Sequence, residues 1–212
     1  MTIYIVALYA IFAVCAMFNS KVMMTNLRER RRLRTADTIR RAAVDLIYAL
    51  GLDDVTTEMI SEKAGISPRT FFNYFPYKEA ALIPPEQEFS LEAIDKFVNG
   101  SATLLDDLAD LIVPFAEPYG KDPEILWKLF EISETHPKLV MLKVNAFHDF
   151  DQKLATVLAL RIKDGDQRPD LVSALISTAM RVALARWAES GSGVVSEHIR
   201  QSVQELRTAF KD

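Results

Sequence analysis

The sequence is poor in the residues that usually hold chemistry. It has one cysteine, Cys15, in 212 residues, which excludes an internal disulfide framework and any multi-cysteine zinc or iron–sulfur site and fits a reducing compartment. In the run HDFD at 148–151, His148 and Asp151 stand without a second histidine near by, whereas zinc sites gather three or four ligands. No HExxH, GxSxG, GxGxxG or Walker loop occurs, so catalysis has no visible carrier, and neither a metal nor a cofactor is expected. Alternating apolar and polar runs closed by Asn-Gly or Gly-Asn turns are missing as well, and no internal repeat is evident. With only 7 Gly and 9 Pro, 50% hydrophobic and 25% charged residues, the chain is neither collagenous nor of low complexity nor disordered.

Net charge is also scarce, at −4, but it is unevenly spread. From Lys21 to Lys78 there are 11 Lys and Arg against 7 Asp and Glu, and from Glu79 onward 14 against 22. The two parts are built for different partners.

The apolar run IYIVALYAIFAVCAMF, at residues 3–18, precedes the first charge at Lys21. It lies at the short end of a membrane span and lacks the basic segment that opens a secretory signal. Three readings stand for residues 1–23. Translation starts at Met23 or Met24, or the run anchors the chain in a membrane with the Arg28–Arg34 cluster holding the rest in the cytoplasm, or it lies as a helix on the protein body.

The remainder reads as all-α. Ile39, Ala42, Ala43, Leu46, Ile47 and Leu50 form one helical stripe that Gly51 is placed to cap. Thr56 or Thr57 caps a short second helix through Ala64, and Gly65 supplies a tight turn. Ser67 followed by Pro68 opens a third helix ending near Tyr74. Pro84-Pro85 interrupts the chain, which places a domain boundary there. Further breaks at Pro114, Gly120, Pro123, Pro137, Gly165, Pro169 and Gly191 leave helices near 103–117, 123–135, 137–162, 169–190 and 194–210.

Two short helices around a glycine turn make a helix-turn-helix, whose second helix has the dimensions to enter a DNA major groove. At about 100° per residue, Phe71 and Phe75 point inward and Arg69 and Asn73 point outward together. Arg matches guanine O6/N7 and Asn matches adenine N6/N7, each with two hydrogen bonds. Ser67, Thr70 and Tyr74 offer hydroxyls to phosphates, Thr57 sits at a helix N-terminus that favours an anion, and Lys78 adds a charge at the next helix start. Phe72 falls between the two faces, where it meets a thymine methyl or packs. Pro68 and Thr56 complete the candidate DNA-binding set.

The segment TTEMISEKAGISPRTFFNYFPYKEAAL resembles the DNA-binding domain of the TetR family of transcriptional regulators, with the resemblance running from about Arg34 to Leu82. SPRTFFNYFPYKE looks like the subgroup whose C-terminal domain is associated with acyl-CoA-like ligands or mycofactocin regulation. In the family, the residue matching Phe72 is often a tyrosine that contacts DNA, and many members have glycine where Arg69 stands. The resemblance implies a homodimeric, usually repressing regulator with a small-molecule pocket in the larger domain. The effector it implies is a largely apolar small molecule, and its other partners are double-stranded DNA and a second copy of the chain. On this reading residues 24–83 bind DNA and residues 84–212 bind ligand and dimerise, in the cytoplasm at the nucleoid unless residues 2–18 anchor the chain. A membrane-anchored helical regulator, and a helical carrier or enzyme with a vestigial DNA module, remain as alternatives.

In the acidic part, the 169–190 helix carries Val172, Ile176, Ala179, Ala183 and Trp187 on one stripe and Leu171, Leu175 and Val182 on another, more apolar surface than one packing face needs. With Ile199, Val203 and Leu206 of the last helix, the first stripe is the expected dimer interface, the alternative being burial within one subunit. Trp127, Phe130, Phe147 and Phe150 are candidate pocket walls, or plain core.

Overall fold

A computed structural model describes residues 31–83, 87–162 and 168–209, and among them the chain forms nine α-helices and one 3₁₀ turn with no strand. The apolar run 2–18 lies outside the described residues. Helix α1 is described over 31–50. Ile39, Ala42, Ala43 and Ile47 of its stripe are buried together with Val44, while Leu50 is 48% exposed. Leu50 escapes because the helix ends there: Gly51, at φ 93°, donates its N–H to the Ile47 carbonyl at 2.9 Å and turns the chain away.

Thr56 caps α2 (Thr57–Lys63), its hydroxyl oxygen accepting from the Met59 N–H at 3.2 Å. Gly65, at φ 67°, makes the turn. Helix α3 (Pro68–Phe72) is shorter than expected and is capped by Ser67, which accepts from the Thr70 N–H at 3.1 Å. A 3₁₀ turn (Lys78–Leu82) then leads to Ile83.

Helix α4 (Leu91–Val98) adds an element to those expected from the sequence. Its signal is nevertheless there: Ser90 accepts from the Ala93 N–H at 3.1 Å, and Ala93, Ile94, Phe97 and Val98 follow at helical spacing. Helices α5 (Leu104–Ala116), α6 (Pro123–Thr135), α7 (Pro137–Arg161), α8 (Pro169–Ser190) and α9 (Val195–Ala209) lie within one residue of their expected bounds. Pro114 does not break α5, since it stands on the exposed side and the helix continues to Ala116.

Two apolar clusters result. The first joins α1, α2, α3 and the 3₁₀ turn through Ile39, Ala43, Ile47, Ile60, Phe71 and Leu82, and it also takes in Ile132 of α6 and Leu139 of α7. The second fills the space among α4–α9. Helix α8 is central to it, packed by α6, α7 and α9. Among the described residues α8 alone is long and apolar enough to cross a membrane, and half of that stretch is buried inside the protein.

The residues of the expected dimer face are largely buried within the single chain. Ile176, Ala179, Ala183 and Trp187 of α8 and Ile199 and Val203 of α9 are at most 4% exposed within the single chain. Val172 and Leu206 pack against the same cluster. The richer stripe of α8 is thus spent inside the subunit, because α6, α7 and α9 surround it. The second stripe faces out: Leu171 is 60% and Leu175 38% exposed, with Ala174, Thr178 and Ala185 on the same side.

Candidate functional site

The helix-turn-helix is built by two capped helix starts. Ser67 Oγ lies 2.9 Å from Thr70 Oγ1 and holds the α3 N-terminus. Phe71 is fully buried, with Phe75 at 5.9 Å and Phe72 edge-on at 5.5 Å between ring centroids. That anchorage fixes the rotation of α3, so Pro68, Arg69 and Asn73 are exposed on one side, beside Thr56 and Ser67. Phe72 is 53% exposed and so belongs to this outward surface. Thr57, Thr70 and Tyr74 are half-buried at its edge.

Lys78 is placed differently from its expected position toward phosphate. Its ammonium donates to the Leu52 carbonyl, to that of Val55 at 2.8 Å and to that of Asp53 at 3.5 Å. These carbonyls follow the end of α1 and have converged where backbone partners are lacking, so a cation reaching back from the 3₁₀ turn closes the loop.

A cavity of about 350 Å³ lies among α5, α6, α7 and α8 and the end of the 3₁₀ turn. Phe130, Phe147 and Phe150 line it as expected, with Phe115, Met180 and Leu184. Trp127 does not; it points outward and is 38% exposed. The polar lining is sparse. Lys143 sits 4.9 Å over the Phe130 ring, and Lys153 pairs with Glu88 at 2.6 Å and donates to the Gln87 carbonyl at 3.0 Å. Sequence reasoning missed most of the wall, including Leu82, Ile83 and Tyr119, because separate helices bring it together.

The cavity shares its wall with the N-terminal apolar cluster. Leu82, Ile132 and Leu139 line the cavity and also belong to the N-terminal apolar cluster. Around this seam run three ion pairs: Arg41–Asp122 at 2.5 Å, Lys128–Asp45 at 2.9 Å and Lys138–Glu79 at 2.9 Å. Burial alone would raise the Asp122 carboxyl, but the Arg41 guanidinium and the N–H groups of Ile125 and Glu124 outweigh it and hold it below the usual range. Glu79 is held low in the same way, with burial opposed by Lys138 and by its own backbone N–H. The Lys128 ammonium is pushed up by Glu124 and Asp45.

Comparison with known proteins accords with this arrangement. Residues 39–82 match the family described as bacterial regulatory proteins, tetR family. The HTH-type transcriptional regulator TcmR of Streptomyces glaucescens is 27% identical over 172 residues, 76% of each chain. SmeT, the repressor of the Stenotrophomonas maltophilia multidrug efflux pump SmeDEF, shares the fold in its triclosan complex, with a TM-score of 0.52 at 16% identity over 83% of this chain and 91% of that one. FadR of Thermus thermophilus in complex with lauroyl-CoA gives a TM-score of 0.49 at 21% identity, over 84% of this chain and 95% of that one. The helix-turn-helix at 56–75 lies inside the matched segment, so the chain carries a DNA-binding segment like that of the tetR family of bacterial regulatory proteins, followed among the described residues by helices.

Proposed function

We propose that the protein is a ligand-responsive repressor that binds a pseudo-palindromic operator as a homodimer and is released when a small, largely apolar molecule enters the α5–α8 cavity. Arg69 and Asn73 read base edges, Ser67, Thr70, Tyr74, Thr56 and Thr57 position the phosphates, and Pro68 and Phe72 pack against the groove. Residues 24–83 act as the DNA-binding domain and 84–212 as the ligand-binding and dimerising one, working at the DNA in the cytoplasm. Two copies meet through the outward stripe of α8.

The observation that carries this reading is the shared wall. Leu82, Ile132 and Leu139 serve the cavity and the reading domain's core at once, so a ligand that spreads them moves the domain that holds α3. A ligand shifts this balance only by binding the released arrangement better than the DNA-bound one. The test is selection of genomic fragments by the purified protein, followed by sequencing. Enriched fragments sharing one inverted repeat support the proposal; no enrichment over unselected DNA overturns it.

A further inference from the structure

Arg40, on the inner side of α1, is a buried cation that the DNA-reading face does not use. Its side chain is 12% exposed. One terminal nitrogen donates to the Ile83 carbonyl at 3.1 Å, and among the described residues its buried Nε makes no hydrogen bond. Its nearest carboxylate, Asp37, is 4.0 Å away and is held more closely by Arg41 at 3.2 Å. Burial lowers the pKa of the group, yet a guanidinium stays charged in proteins. A buried charge with unused donors is costly unless something completes it.

Its surroundings point to the cavity. Ile83, which takes the Arg40 hydrogen bond, lines the cavity. So does Tyr119, which lies within electrostatic reach of both Arg40 and Lys153 and whose phenol burial pushes up. Lys153 lines the same end, alongside its Glu88 and Gln87 partners. Lys153 shares its charge with Glu88, whose side chain is 72% exposed, whereas among the described residues Arg40 has no such close partner, because Asp37 is engaged by Arg41. Lys153 and Tyr119 thus line a chamber that is mostly apolar, and Arg40 stands just behind its wall, joined to it through the Ile83 carbonyl.

We propose that the cavity takes an apolar ligand ending in an anionic group, a carboxylate or sulfonate, and that Arg40 with Lys153 meets that end, so that an occupied cavity grips α1 of the DNA-reading domain directly. This rests on the reading of the cavity as the effector site. Drawing the guanidinium toward the ligand loosens its hold on the Ile83 carbonyl, at the point where the 3₁₀ turn leaves the reading domain.

The test uses the full chain and two dyes of one aromatic skeleton, 8-anilinonaphthalene-1-sulfonate and the uncharged N-phenyl-1-naphthylamine, titrated by fluorescence. The sulfonate is expected to bind about tenfold more tightly, as one charge-assisted hydrogen bond implies. Arg40→Met and Arg40→Gln should each remove most of that advantage with little change for the neutral dye; the glutamine variant keeps a donor for Ile83 and guards against a folding defect. Ala146→Trp, which fills the cavity, should weaken both dyes. Equal affinity of the two dyes for the parent protein overturns the anionic assignment and leaves the cavity reading standing. Equal weakening of both dyes by the Arg40 variants, or loss of the advantage only in Lys143→Met, overturns the role of Arg40. Failure of both dyes to bind, or binding untouched by Ala146→Trp, removes the cavity reading itself.

Discussion

Arg69 and Lys78 are cations of the same domain with opposite surroundings. Arg69 is exposed on the outward side of α3, with Asn73 on the same face. Arg69→Ala is expected to relax preference at one base position and to cost about 1–3 kcal/mol of specific binding. An unchanged preference profile on a randomised operator library would refute its reading role. Lys78 instead ties together the Leu52, Asp53 and Val55 carbonyls. Lys78→Met should therefore act on the fold, costing about 1–3 kcal/mol in urea unfolding as those acceptors lose their donor. A variant of parental stability whose DNA affinity alone fell would return Lys78 to the phosphate contacts. Arg69 was legible in the sequence because its direction follows from helical spacing within five residues. Lys78 was not, since its partners lie more than 20 residues away and only tertiary structure brings them to it.

At the scale of elements, the caps carried most of the legible information. Thr56, Ser67 and Gly51 fixed the starts and stop of the first three helices through local hydrogen bonds that sequence spacing reveals. Periodicity also found both apolar stripes of α8, but it cannot say which stripe meets a neighbour in the same chain. That depends on α9 returning against α8 and α5, an outcome of the whole packing. The same return makes Gly120 a close approach. It follows α5, and a Cβ there would overlap the side chain of Val195, the buried first residue of α9. Gly120→Ala is expected to destabilise by about 1–3 kcal/mol, the scale of overpacking at a core position. Denaturation midpoints would check it, and no shift would mean that the α5–α6 turn yields freely.

Across the whole molecule, the helix-turn-helix segment and the helices behind it share an apolar wall rimmed with charge, and pH separates these contributions. Asp122 and Glu79 have folded pKa values below those of the unfolded chain, so their contribution is present above about pH 4 and is lost as pH falls through the lower folded values. The acid-induced fall in Tm should therefore be smaller in an Asp122→Asn, Glu79→Gln double variant than in the parent; equal falls would show that the rim contributes nothing to cohesion. The proposed homodimer uses a different surface. The outward stripe of α8 is largely apolar through Leu171, Ala174, Leu175, Thr178 and Ala185, with Arg181 at its edge and Glu189 at its end, whereas the outer side of α9 is polar with Gln201 and Gln204. Leu171→Glu with Leu175→Glu should give a folded monomer, because both positions are exposed in the single chain. Ala183→Glu should unfold the subunit instead, since it places a charge in the core between α8 and its neighbours. Analytical ultracentrifugation and circular dichroism distinguish these outcomes. If the α8 stripe sets the spacing of two α3 helices, they must meet successive major grooves about 34–36 Å apart or a multiple of that, and the monomer should lose palindromic sites while keeping weak binding to a half-site. A double variant that stayed dimeric, or a monomer that held the full palindrome as tightly as the parent, would place the two-fold contact elsewhere.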